Sequence, residues 1–309
     1  IKIHRTRLTK PRFWMYLKRL RQTYHQVKHA DHVFATGKFS LWSVALCSLF
    51  FKRHYLAVVH CFEVNFKKPL LKKSVELSLT RFDSIVAVSN YTKSLIAHLN
   101  LKVSVIPNGI DFDKWQQTGS NNDIELKGSP KLMTVGNVTS RKGQQNVIKH
   151  LPILIKEYPD LHYHCVGLPT EATDFKRLAK QLGVVNRISF HGRVGEAELK
   201  GLLKASDIFV MLSSQTSSGD VEGFGIAILE ANAMGVPAIG ALGCGIEDAI
   251  NNNKSGILIS YDKPDLFLGA IGTILQNRDS FKENALKWSR QHNWSKVIVA
   301  YLKILEWGD

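Results

Sequence analysis

Between residues 131 and 260, short runs rich in β-branched and aromatic residues alternate with stretches of helical periodicity. Strand candidates cover 131–137, 161–167, 187–192, 207–213, 237–241 and 256–260. Helix candidates cover 143–157, 172–182, 196–204, 225–234, 246–250 and 264–277. Strand, helix, strand at this spacing predicts a parallel sheet covered by helices on both faces, because parallel neighbours need a crossover connection. In such a sheet, ligands bind at the carboxyl ends of the strands.

The first part of the chain reads the same way. Strand candidates are IKIHR (1–5), 31–37, 55–62, 84–89 and 103–108, and helix candidates are 12–29, 39–51, 67–80 and 91–98. The most polar, turn-rich stretch is QQTGSNNDIELKGSP (116–130), which predicts a linker. The expected organisation is an N-terminal domain over 1–120, a C-terminal ligand-binding domain over 121–293, and an amphipathic helix over 294–309 that packs back on the first. The fold class is α/β: two Rossmann-like, doubly wound parallel-sheet domains facing a cleft.

With 44% hydrophobic and 22% charged residues, the chain has enough apolar material for two cores. The longest nearly apolar run, Phe39–Phe51, falls short of the roughly 20 residues that cross a bilayer. No export signal follows the basic N-terminus. Cys47, Cys61, Cys165 and Cys244 contain no C-x-x-C pair and read as reduced, buried thiols of a cytoplasmic protein. The net charge of +15 is uneven, since residues 1–129 hold 21 Lys and Arg against 8 Asp and Glu. That surplus suits a polyanionic partner: nucleic acid, an anionic membrane surface or a phosphorylated substrate.

The chemistry concentrates in EGFGIAILEANAMG (222–235). Gly223 and Gly225 permit a tight loop, and the helical pattern from Ile226 places backbone N–H groups at a helix N-terminus, a site for phosphate. Glu222 and Glu230 flank it, as carboxylates that accept hydrogen bonds from sugar hydroxyls. The same spacing also fits an ordinary strand–loop–helix with two solvated glutamates. In VGNVTSRKGQ (135–144), Gly136 ends a strand while Arg141 and Lys142 can both meet phosphate, or simply face solvent. His60 ends the run YLAVVHCFE, either donating to a sugar hydroxyl or departing phosphate or sitting as a satisfied core residue.

E-G-F-G-I-x-x-L-E-A-x-A-x-G-x-P resembles the E-x7-E signature of retaining glycosyltransferases of the GT-B fold, the large family 4. The resemblance implies a nucleotide-diphosphate-sugar bound by the C-terminal domain. Glu230 would hold the ribose hydroxyls and Glu222 the transferred sugar, with the N–H groups around Phe224, Gly225 and Ile226 facing the diphosphate. VGNVTSRKG is similar to the family's G-R-x-x-x-x-K-G diphosphate loop, with Lys142 in the Lys position and Asn137 where the family has Arg. FHGRVG resembles the base-binding turn, placing Arg193 and Val194 by the nucleobase. GCGIED (243–248), SNYT (89–92) and PNGID (107–111) resemble further family motifs, and His60 matches a strand-end His beside the donor sugar. The family's first strand and Gly-rich loop have no counterpart in the sequence.

These readings predict a metal-independent hexosyltransferase with no resident cofactor and the nucleotide-sugar as co-substrate. Asp111-Phe112-Asp113 spells D-x-D, but it follows P-N-G at a domain junction and is not read as a cation site. The acceptor would be a glycan or lipid-linked, in cell-surface polysaccharide or lipopolysaccharide synthesis. The segment 12–29 fits either a basic interfacial helix or a packed surface helix, and Lys67, Lys68, Lys72 and Lys73 add a second basic face. Together they suggest a cytoplasmic enzyme peripheral at the inner face of the membrane. Two alternatives are a nucleotide-sugar 2-epimerase of the same fold and a non-enzymatic nucleic-acid binder. The E-x7-E loop disfavours the first, and the lack of any nucleic-acid motif disfavours the second.

Overall fold

The computed structural model describes residues 3, 12–117, 124–217 and 219–306. Of the expected strand IKIHR only Ile3 is described, and it is not in a strand; the middle of the expected linker lies outside these residues. The chain divides into two compact units, one of residues 1–88, 92–106 and 300–309, the other of residues 89–91 and 107–299.

The first unit carries a four-stranded, wholly parallel sheet in the order β1 (His32–Thr36), β2 (His54–Val59), β3 (Ser84–Ala87), β4 (Val103–Val105). Helices α1 (Arg12–Val27), α2 (Lys38–Cys47), α3 (Cys61–Val64) and α4 (Pro69–Leu79) connect it. Leu41, Val44, Ala57, Val59, Val75, Leu79 and Ile85 form its core. The β2 run ends at Val59, before the expected residue 62, because His60 starts α3: its backbone N–H donates to Glu63 Oε2 at 3.0 Å. Such a reciprocal contact satisfies an N–H left over at a helix start. The short α5 (Asn90–Ser94) follows β3, and a 3-10 turn (Ala97–Leu99) replaces the end of the helix expected over 91–98.

The second unit starts with α6 (Phe112–Gln116), capped by Asp111, whose side chain accepts from the Lys114 N–H at 3.0 Å. The D-x-D pair thus serves a helix start. Six parallel strands follow: β5 (Lys131–Val135), β6 (His162–Val166), β7 (Ile188–Gly192), β8 (Ile208–Met211), β9 (Ala238–Ala241) and β10 (Gly256–Ile259). Their spatial order is β10-β9-β8-β5-β6-β7. The crossovers α7 (Gln144–Glu157), α8 (Ala172–Gln181), α9 (Glu196–Lys204) and α10 (Ile226–Ala233) match the expected helices within a residue or two at each end. The helix expected at 246–250 is instead a 3-10 turn, Gly245–Asp248. Beyond α11 (Pro264–Gln276), α12 (Arg278–Gln291) is an element with no apolar run to announce it. The last helix, α13 (Trp294–Glu306), begins in the second unit, and its residues from Ala300 group with the first. The second core gathers Leu132, Ile148, Leu151, Tyr163, Ile208, Val210 and Phe267, all fully buried.

Candidate active site

In the six-stranded sheet the chain moves from β5 outward through β6 to β7, then returns to start β8 on the other side of β5. The connections after β5 and β8 therefore leave in opposite directions, opening a crevice at the carboxyl ends of these two strands. Two loops line it: Gly136–Gly143 after β5 and Leu212–Gly225 after β8.

Close backbone approach builds this crevice. Gly143 has φ +82, and a Cβ there would lie 2.0 Å from the Leu212 carbonyl oxygen. Only glycine lets the β5 loop press on the chain leaving β8. The Ser213 hydroxyl donates to the Arg141 carbonyl across the same contact. On the far side, a Cβ at Gly245 would lie 1.9 Å from the Gly223 carbonyl oxygen, while the Gly245 N–H donates to the Glu222 carbonyl at 2.9 Å. That close approach admits only glycine at 245, where the 3-10 turn Gly245–Asp248 begins.

Held this way, Glu222 meets both basic residues. Arg141 Nη1 lies 2.5 Å and Lys142 Nζ 2.8 Å from Glu222 Oε2, and Arg141 Nε lies 3.4 Å from Asp220 Oδ2. The stem of Lys142 runs along Gly136, where a Cβ would sit 3.0 Å from Lys142 Cε. Burial pushes the Glu222 carboxyl up, but Lys142, Arg141 and the Phe224 N–H outweigh it, so the group sits below the usual carboxylate range. Glu230 moves the other way. Burial raises it, and the charge of Lys142 only partly offsets that. Two carboxylates on one loop and helix are thus pushed apart in acidity, a pattern typical of functional sites.

The structure therefore brings Arg141, Lys142 and Glu222 together, with Gly136 and Gly223 shaping the approach. Gly225, at φ +96, is the residue before α10, and Ile226 opens the helix, half-exposed. The Phe224 ring is buried beside His292, and its N–H serves Glu222. Arg193 is exposed and Val194 half-buried in the turn between β7 and α9, at the same sheet edge but two strands away from β5. His60 lies at the carboxyl end of β2, in the first unit. Ser89 and Asn90, from SNYT, group with the second unit. Ser89 Oγ donates to the Gly223 carbonyl at 2.8 Å, and Asn90 donates to both Asp248 oxygens at 2.9 and 2.6 Å.

Two contributors carry no sequence signal of their own. Asp220 stands two residues before Glu222, its role set by where Arg141 arrives. Glu171 accepts from the Ser140 N–H at 2.9 Å and hydroxyl at 2.6 Å, anchoring the β5 loop. Among the described residues, no group of three or more His, Cys, Asp or Glu is placed to hold a metal ion.

The profile "Glycosyl transferases group 1" matches residues 118–290, and "Glycosyltransferase Family 4" matches residues 1–114. The chain belongs to glycosyltransferase family 4. Among curated relatives is the Mycobacterium tuberculosis GDP-mannose-dependent alpha-(1-6)-phosphatidylinositol monomannoside mannosyltransferase, 28% identical over 72% of this chain and 61% of the relative. Another is D-inositol 3-phosphate glycosyltransferase 2 of Catenulispora acidiphila, 27% identical over 64% of this chain and 49% of the relative. The chain thus spans about three fifths or less of these relatives' length. Among solved structures, Anabaena HepE in complex with UDP superposes with TM-score 0.76 at 19% identity, over 94% of this chain and 81% of that one. A Rickettsia africae glycosyltransferase gives TM-score 0.78 at 21% identity, over 98% and 83%. With two parallel-sheet α/β units, these neighbours show the GT-B fold.

Proposed function

We propose that this family 4 chain transfers a sugar from a nucleotide-diphosphate-sugar to a glycan or lipid-linked acceptor with retention of configuration. The observation that carries the reading is Glu222 ionised between Arg141 and Lys142 at the switch point of the sheet. The two cations and the N–H groups entering α10 would neutralise the departing diphosphate, and Glu222 would grip the transferred sugar. The acceptor hydroxyl attacks the anomeric carbon from the face the diphosphate leaves, and the leaving phosphate oxygen takes the hydroxyl proton. Glu230 would hold the ribose hydroxyls, and Arg193 and Val194 the base. No resident metal or cofactor enters this scheme.

Relatives named as acting on a phosphatidylinositol mannoside, and neighbours solved with UDP and UDP-glucose, support a lipid-linked acceptor and a nucleotide-sugar donor. The basic α1, with exposed Phe13 and Trp14, suits a peripheral site at the inner membrane face, in cell-surface polysaccharide or lipopolysaccharide synthesis. Among the described residues, no helix is long and apolar enough to cross a membrane.

The test is a thermal-shift screen of nucleotide-sugars, followed by incubation of each stabilising donor with and without lipid-linked acceptors. Transfer requiring acceptor, with the donor's anomeric configuration kept in the product, is the expected result. Conversion of donor alone would make the chain an epimerase, and stabilisation by nucleic acid alone would overturn the donor site.

A further inference from the structure

His32 and His54 open β1 and β2 and are direct partners in the parallel register. Their Nδ1 atoms face one another at 3.4 Å, the rings edge to face at 5.5 Å. Both line a cavity of about 790 Å³ at the amino ends of the four strands, the opposite sheet edge from His60. This volume is typical of small-molecule sites.

The cavity's charge is unbalanced. Lys52, Lys102 and the α13 residue Lys303 line it, together with Arg53. Arg53 is fixed by donating to the carbonyls of Val27 at 3.3 Å and Lys28 at 2.7 Å, which holds its charge beside the cavity. The opposing acids are Asp31 and Asp83, and one Asp83 oxygen already accepts from the Tyr55 N–H at 2.8 Å. Four cations thus face two carboxylates across an open space. At this distance one Nδ1 can donate to the other, the direction depending on the tautomers, and an anion alongside would offer both rings an acceptor.

We infer that this cavity is a binding site for a phosphate-bearing group, distinct from the crevice of the second unit. Paired imidazole donors would fix the phosphate oxygens, and the surrounding cations would neutralise them. The inference stands independently of the donor reading. The group could belong to a soluble phosphate ester or a lipid headgroup, and the test separates these sources.

The probe is inorganic pyrophosphate, titrated calorimetrically into an Arg141→Ala, Lys142→Ala background so that the other crevice cannot contribute. Histidine ring signals are followed by NMR in parallel. Binding that moves the His32 and His54 signals, and weakens by about tenfold in His32→Ala, His54→Ala, is the expected result. The surface variant Lys52→Glu, Lys303→Glu should weaken it comparably, keeping the test decisive if the histidine variant folds poorly. A parallel flotation assay uses phosphatidylcholine vesicles with and without phosphatidic acid. Capture by phosphatidic acid without pyrophosphate binding, again lost in the variants, assigns the site to a lipid headgroup. Neither probe binding, or binding unchanged in both variants, overturns the inference.

Discussion

Lys142 Nζ lies 2.8 Å from Glu222 Oε2, so a buried carboxylate already occupies the lysine that a diphosphate would need. On the proposed donor site, the diphosphate would share or displace that contact. Glu222→Gln keeps the shape while freeing both cations. Nucleoside diphosphate should bind it at least as tightly as the unaltered protein, while sugar transfer falls by about 100-fold or more. Calorimetry with UDP and GDP, set beside transfer rates, checks this. Weaker nucleotide binding in the variant contradicts it.

Asp220 holds the other side of the Arg141 guanidinium, at 3.4 Å from Nε. Its loop is itself braced: the Asp220 N–H donates to Thr216 Oγ1 at 3.0 Å, and the Thr216 N–H returns to the Asp220 carbonyl at 2.8 Å. Asp220→Ala frees Arg141 to wander and should cost about tenfold in kcat/KM, whereas Asp220→Asn, still an acceptor, should recover most of it. If Asn behaves like Ala, charge rather than position is what Asp220 supplies.

Gly143 and Gly183 both have φ near the left-handed region, +82 and +71, yet only Gly143 faces backbone where a Cβ would stand. Gly183→Ala should cost about 1 kcal/mol of stability, the price of the conformation alone. Gly143→Ala must also separate the β5 loop from Leu212, at about 3 kcal/mol or more. Urea unfolding midpoints of the two variants measure the difference directly.

Three histidines stack between β6 and β7, with His164 Nδ1 3.1 Å from His191 Nε2 and His164 Nε2 3.0 Å from the Lys127 carbonyl. Burial pushes the His164 imidazole down to about 4, and His162 and His191 are lowered as well, again chiefly by burial. The folded state therefore resists protons that the unfolded chain accepts. Stability is unaffected above the unfolded value near 6.5 and falls as pH drops from there toward about 4. His164 alone accounts for about 3 kcal/mol of that loss. Denaturant melts between pH 7 and 4 should show it, and a flat profile would argue against the stack.

Much of the architecture was legible because periodicity is local. A strand of KLMTV and a helix of EAELKGLLK each announce themselves within their own residues, and the EGFG turn does the same for the helix it opens. The helix RDSFKENALKWSRQ hid because its sparse apolar residues make no stripe a reader can trust, and it rests on contacts with α10 and α11. Nothing in GIED shows that Gly245 packs against the Gly223 carbonyl, where a Cβ would not fit.

For the crevice, residue types alone determined that cationic and carboxylate side chains were present, at 141–142 and at 222 and 230. The pairing of Glu222 with those cations, Asp220's hold on Arg141 and the facing of His32 with His54 were decided only on folding. Charge attraction depends on distance in space. Here the distance is fixed by strands that lie side by side in an order unlike their order along the chain.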